Sequence, residues 1–229
     1  MAEFHFVEDY ERHVAALIAA HPIDEAMSLA VGGHFELIGA IELGILKHAG
    51  LTSSAAVFDL GCGSGRLAMA LSDSGMVVEY TGTDVVRSLL DYAATKCRRG
   101  FRFVLNRELT IPVPSGSIDI ACAFSVFTHL LHHESFSYLE QMQRAVRPGG
   151  RIVFSFLEFA EPAHWPIFQH TVQTQRAGGN PPLNQFIERN VIASWATHLG
   201  LKIDSFIDAS TDTGPGALGQ ATAILSLPP

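Results

Sequence analysis

Charge is scarce in this sequence: charged residues make up 17% of 229, against 48% hydrophobic ones. That balance excludes a chain disordered over its whole length and predicts a well-buried core. Basic residues are scarcer still, 15 Lys and Arg against 23 Asp and Glu, for a formal net charge of -8. The mean field repels a phosphate backbone, so nucleic acid is a poor first choice of partner. The main basic concentration, Lys96, Arg98, Arg99 and Arg102, falls at the end of a helical pattern, where cations favour the helix dipole. Cysteine is limited to Cys62, Cys97 and Cys122, odd in number, widely spaced and without a CxxC pair. This argues against a disulfide scaffold and for a reducing compartment. Apolar stretches are cut by Gly, His or Glu before a membrane span would be complete. The opening MAEFHFVEDYERH lacks the basic segment and apolar run of a secretory signal. The expectation is a soluble cytoplasmic protein, no membrane partner, and room for a homodimer.

What is present is a rhythm. Residues 8–20 and the stretch after Gly33 to Gly50 carry apolar residues at helical spacing and predict an N-terminal helical cap over 1–50. From residue 55 short apolar strands alternate with glycine turns and helices: AAVFDL, VVEYTGTD, FRFVLN, IDIACAFSVF and RIVFSFLEF are the strand candidates. A helix is expected from about Ser135 to Val146, stopped by Pro148-Gly149-Gly150. Strand–helix alternation of this length implies right-handed crossovers and a mostly parallel, doubly wound α/β sheet. The regularity lapses at 161–184, a long connection with four prolines, one short helix at most, and the length of a lid. A further helix follows. LKIDSFID and QATAILSLP then predict two last strands, antiparallel because their connection is short. The main domain is expected over 51–229.

The central constellation is Asp59-Leu60-Gly61-Cys62-Gly63-Ser64-Gly65-Arg66 between the first strand and its helix. Alternating glycines let a backbone turn sharply and approach a ligand closely, and the helix start beyond offers N–H donors. A dinucleotide fingerprint needs a sixth-position glycine, where Arg66 stands, and no GxxxxGK[ST] occurs. Arg66 reads as a solvated helix residue. Asp84 closes the second strand, where an acidic side chain accepts ribose hydroxyls or, alone, caps a helix.

Asp-Leu-Gly-Cys-Gly-Ser-Gly, then Gly-Thr-Asp, then Arg-Pro-Gly-Gly before a strand, resembles the class I S-adenosylmethionine-dependent methyltransferases over roughly residues 55–227. The resemblance implies a seven-stranded Rossmann-like sheet ending in an antiparallel hairpin, with S-adenosylmethionine as cofactor. It further implies that Asp59 and the loop of Gly61, Cys62, Gly63 and Gly65 hold the methionine end, that Asp84 takes the ribose, that Val85 packs beside the adenine, and that Phe124 lies near the methyl group or the substrate. Many members carry an acidic residue after the third strand for the adenine amino group. Here the sequence is Asn106-Arg107-Glu108, so Asn106 is the candidate.

Methyl transfer from a sulfonium needs positioning and desolvation, with a general base only if the acceptor keeps its proton. His129, following the fourth strand, is the acid–base candidate because imidazole titrates near neutrality; the competing reading is a histidine bonded to loop backbone or capping a helix. His129, His133 and Glu134 lack the second histidine of HExxH, so no metal site is expected. Tyr10, Phe35, Trp165 and Phe168 are candidates for an acceptor wall, each also explicable as core packing. The short cap and acidic surface favour a small acceptor methylated at N or O. Methylation of a protein or RNA, and a noncatalytic role on the same fold, remain alternatives.

Overall fold

The computed structural model describes residues 7–181 and 183–229. Residues 1–6 of the expected cap and Pro182 of the expected connection lie outside this range. The chain opens with three helices, α1 (Val7–Ala20), α2 (Ile23–Ala30) and α3 (Phe35–His48). The sequence predicted only the first and third. His21-Pro22 reads as a stop, yet Pro22, with φ -52, also stands at the N-cap of the eight-residue α2.

There follow β1 (Ala56–Leu60), α4 (Arg66–Asp73), β2 (Glu79–Asp84), α5 (Arg87–Lys96), β3 (Arg102–Leu105), β4 (Ile118–Ala123), α6 (His132–Ala145) and β5 (Val146–Phe156). The last elements are α7 (Trp165–Arg176), α8 (Arg189–His198), β6 (Lys202–Ile207) and β7 (Ala221–Ser226). The strands form one sheet in the order β3-β2-β1-β4-β5-β7-β6. The first five run parallel, and β7 is antiparallel to both β5 and β6. The doubly wound, mostly parallel sheet with its antiparallel end is as the sequence predicts. Two boundaries differ. α6 begins at His132, three residues early, and β5 runs back through Pro148-Gly149-Gly150 to Val146.

Two apolar layers flank the sheet, as a sheet buried on both faces requires. On one side Leu139, Met142, Ile192 and Ala196 of α6 and α8 pack against Phe154 and Phe156. On the other, Ile41, Ile45 and Leu46 of α3 join Leu67 and Leu71 of α4 over Val57, Cys122 and Val153. Burying each such side chain stabilises the fold by about 1.5–3 kcal/mol. α1 and α2 form a third cluster, with Val14, Met27 and Ala30 on Val86 and Leu89 at the start of α5. These two helices therefore stand against the carboxyl end of β2. α7 differs from all of these in having no buried residue. Among the described residues no single helix is long and apolar enough to cross a membrane.

Candidate active site

The glycine loop connects β1 to α4 at the carboxyl edge of the sheet. Gly61, Gly63 and Gly65 have φ of +69, +56 and +91, values that L side chains rarely adopt. Each also has a protein neighbour where a Cβ would stand. The distances would be 2.4 Å from Val126 Cγ2 at Gly61, 2.6 Å from Val31 Cγ1 at Gly63, and 2.8 Å from Ala93 Cβ at Gly65. The sequence argument for the glycines was room for a ligand. The structure adds close packing by the segment after β4, the end of α2, and α5. Two further bonds pin the loop: Cys62 N–H donates to Thr83 O at 2.9 Å, and the buried Ser64 hydroxyl to Met27 O at 2.8 Å.

Asp84, at the end of β2, accepts from Gly63 N–H on one oxygen (3.0 Å) and from Val86 N–H on the other (2.9 Å). Each oxygen keeps a lone pair. Burial pushes its carboxyl up to about 6, against the opposing effect of these N–H donors. Val85 is half-buried beside it. Asn106 N–H donates to Asp84 O. The Asn106 side chain closes its own turn, with Nδ2 donating to Thr110 O at 2.6 Å and Oδ1 accepting from Glu108 N–H. Phe124, just past β4, is buried in the same apolar cluster as Cys62.

Asp59 is buried and held from the α3 side, accepting from Tyr80 OH at 2.6 Å, with Cys122 Sγ at 3.7 Å. Burial pushes its carboxyl up to about 7, and does the same to Glu42 of α3. Arg66 is not the solvated residue that the sequence suggests. Its side chain is only 12% exposed and its Nη2 stands 3.6 Å from Glu42 Oε1, because α4 starts where it packs hard against Gly39 of α3.

On the other half of the edge, a short 3-10 turn (Phe127–His129) follows β4. His129 is exposed, and its Nδ1 lies 2.8 Å from Leu183 O, so the ring bonds loop backbone as one of its two sequence readings had it. His132 Nε2 holds Phe186 O in the same way. The long connection thereby returns to the sheet edge, where Phe186 bridges to Leu157. Trp165 and Phe168 of α7 do stand together, with ring centroids 5.3 Å apart. Two residues that the sequence did not single out complete the group. Phe159 and Phe186 stack at 4.3 Å, and Phe159 also meets Phe168 edge-on at 5.1 Å. Tyr10 and Phe35 are not part of it. Tyr10 donates its hydroxyl to Ala30 O and feels the Asp84 carboxylate. Phe35 lines a groove of about 550 Å³ between α3 and α4.

A family model described as a methyltransferase domain matches residues 58–154, from the strand before the glycine loop into β5. Residues 58–154 thus carry a methyltransferase domain, on the fold of the class I S-adenosylmethionine-dependent methyltransferases. Among curated relatives, it is 34% identical over 150 residues to a demethylmenaquinone methyltransferase of Deinococcus radiodurans, 60% of each chain. It is 24% identical over 115 residues to a tRNA N(3)-cytidine methyltransferase of Gallus gallus, 46% of this chain and 31% of the relative. The chain thus spans less than two thirds of either relative. Its fold is that of the geranyl diphosphate C-methyltransferase from Streptomyces coelicolor, with TM-score 0.66, 15% identity, and coverage of 97% and 98% of the two chains. The family's cofactor suits the donors and acceptors of this methyltransferase edge. Asp84 has lone pairs free for a diol, and the half-buried Arg66 is a cation too far from Glu42 for a hydrogen bond.

Proposed function

We propose that the chain methylates an N or O atom of a small acceptor with an aromatic or otherwise apolar body. The observation that carries this reading is the aromatic group at the carboxyl edge, with Phe159 46% and Trp165 47% exposed beside a helix with no fully buried residue. Exposed aromatic faces in contact with one another are suited to stacking on a flat ligand. The similarity to a demethylmenaquinone methyltransferase supports the same class of acceptor.

When bound, S-adenosylmethionine supplies an electrophilic methyl group on a sulfur that leaves readily. The chain's own task is to hold and to dry. Asp84 accepts the ribose hydroxyls, and Arg66 turns toward the carboxylate of the methionine end. Phe124 and Val126 keep water from the reacting atoms. His129 donates Nδ1–H to Leu183 O, which fixes the tautomer and leaves the Nε2 lone pair to take a proton from the acceptor. His129→Ala is expected to lower turnover about 100-fold or more while S-adenosylhomocysteine binds with unchanged affinity. An unchanged rate would remove His129 from the chemistry.

Methylation of RNA is the second reading, favoured by the tRNA-modifying relative. The net charge of -8 opposes it, and Lys96 and Arg98, from the main basic concentration, are engaged with Asp24 and Met76 O. Salt-sensitive tRNA binding at submicromolar affinity would reverse the order of the two.

A further inference from the structure

Next to the glycine loop stands a hydrogen-bonded group of three polar side chains. Ser125, two residues past β4, has φ +57, a left-handed backbone in a residue with a side chain. Such a conformation is kept only where surroundings impose it, and it clusters at functional sites. Here Ser125 N–H donates to the buried Ser155 Oγ at 2.7 Å. Ser155 Oγ donates in turn to Gln220 Oε1 at 2.7 Å, and Gln220 Nε2 donates to Ser125 Oγ at 3.0 Å. The three come from the ends of β4 and β5 and the start of β7, and meet because β5 and β7 pair with Phe156 opposite Ala221. The next residue, Val126, is the one that fills the space over Gly61. The group therefore adjoins the loop through a single side chain.

An inventory of protons shows what the group still offers. Gln220 has two N–H donors and spends one. The Ser125 hydroxyl donates to Gln220 Oε1 at a long 3.3 Å, on the oxygen that also accepts from Ser155 at 2.7 Å. One Gln220 N–H is left without an acceptor and the Ser125 hydroxyl has only a long bond to exchange, both on half-buried residues. Directly across the strands from Ser155, the fully buried Thr222 Oγ1 has no partner at all. Neutral donors without an arginine or lysine suit a carbonyl or phenol oxygen. Phosphate and carboxylate groups are matched better by guanidinium or ammonium, and an ammonium ligand would need acceptors.

We infer that Ser125, Ser155 and Gln220 form an acceptor subsite that binds a phenol or conjugated carbonyl oxygen beside the glycine loop. The inference deepens the methyltransferase reading above and rests on it for the word acceptor. Ser125 and Gln220 are the donors, and Ser155 is a positioning residue that fixes both.

The test uses 1-naphthol and 1-methylnaphthalene, which share a ring system and differ in the oxygen, titrated into the purified chain saturated with S-adenosylhomocysteine. The native chain is expected to prefer 1-naphthol by about tenfold or more, the scale of one to two hydrogen bonds. Gln220→Met and Ser125→Ala should each reduce that preference to about threefold or less, while S-adenosylhomocysteine affinity and melting temperature stay near those of the native chain. Equal affinity for the two probes, no binding of 1-naphthol, or a preference that survives both substitutions would overturn the assignment. Repeating the titration without the cofactor product separates the two ideas. If S-adenosylhomocysteine fails to bind, the methyltransferase reading falls, and the naphthol preference still decides the subsite.

Discussion

The two halves of the sheet's carboxyl edge are built differently. Over β1 and β2 the loop glycines touch Val31, Val126 and Ala93, Ser64 is tied to α2, and Asp84 is bonded on both oxygens. Over β4, β5 and β7 the edge carries a helix with no buried residue, a half-open hydrogen-bonded group and aromatic rings nearly half exposed. The first half is closely packed and internally bonded, and the second leaves more of its side chains exposed. Low-stability elements are what binding walls are drawn from, whereas a cofactor cradle gains from rigidity.

The comparison breaks most severely at Gly63. A Gly63→Val chain must force a branched side chain into φ +56 and into Val31. We expect S-adenosylhomocysteine binding to be lost and stability to fall by roughly 2–4 kcal/mol, read by calorimetry and urea denaturation. Native affinity in folded Gly63→Val protein would refute the cradle. Asp84→Ala strands the Gly63 and Val86 N–H groups and removes the ribose acceptor. Affinity should drop by about 1.5–3 kcal/mol, and an effect under twofold would take Asp84 out of the site.

A gentler test sharpens the contrast through pH. Burial raises the carboxyls of Glu42 and Asp59 to about 7 and that of Asp84 to about 6. Carboxyls raised in the folded chain bind protons more tightly there than when unfolded. Their contribution to stability is full below about pH 4 and is lost as pH rises through 6 and 7. Glu42→Gln removes one such group. Its melting temperature should match the native chain at pH 4.5 and exceed it at pH 8, by the equivalent of roughly 1–3 kcal/mol. A variant less stable than native at pH 8 would show that the Arg66 pairing outweighs desolvation. The smallest effect on the fold belongs to the other half. Trp165→Ala should lower stability by roughly 1–2 kcal/mol, since the residue is 47% exposed, yet weaken binding of 1-naphthol severalfold. A large loss of stability would make α7 a structural element.

The half over β1 and β2 was legible in the sequence because its residues are neighbours along the chain. The loop from Asp59 to Gly65 and the strand end at Asp84 each lie in one βα unit, and strand–helix alternation assigned the sheet. The half over β4, β5 and β7 was legible only in pieces. Trp165 and Phe168 announce themselves as aromatics in a long connection, but Phe159 and Phe186 join them through a pairing between Leu157 and Phe186 that no local pattern encodes. Ser155 and Gln220 meet only because β7 inserts between β5 and β6. Arg66 was misread because the helix face it occupies is covered by α3, an element that precedes β1 in the chain. α2 escaped notice because eight residues behind a proline carry too little periodicity to outweigh a stop signal.

The central claim is that the closely packed half of the edge is a cradle for S-adenosylmethionine, and calorimetric titration of the purified chain with S-adenosylhomocysteine, with NAD as control, tests it most directly. The account predicts saturable binding at one site per chain for the sulfur compound and no heat from NAD. No binding of S-adenosylhomocysteine to demonstrably folded protein, or tighter binding of NAD, would contradict it.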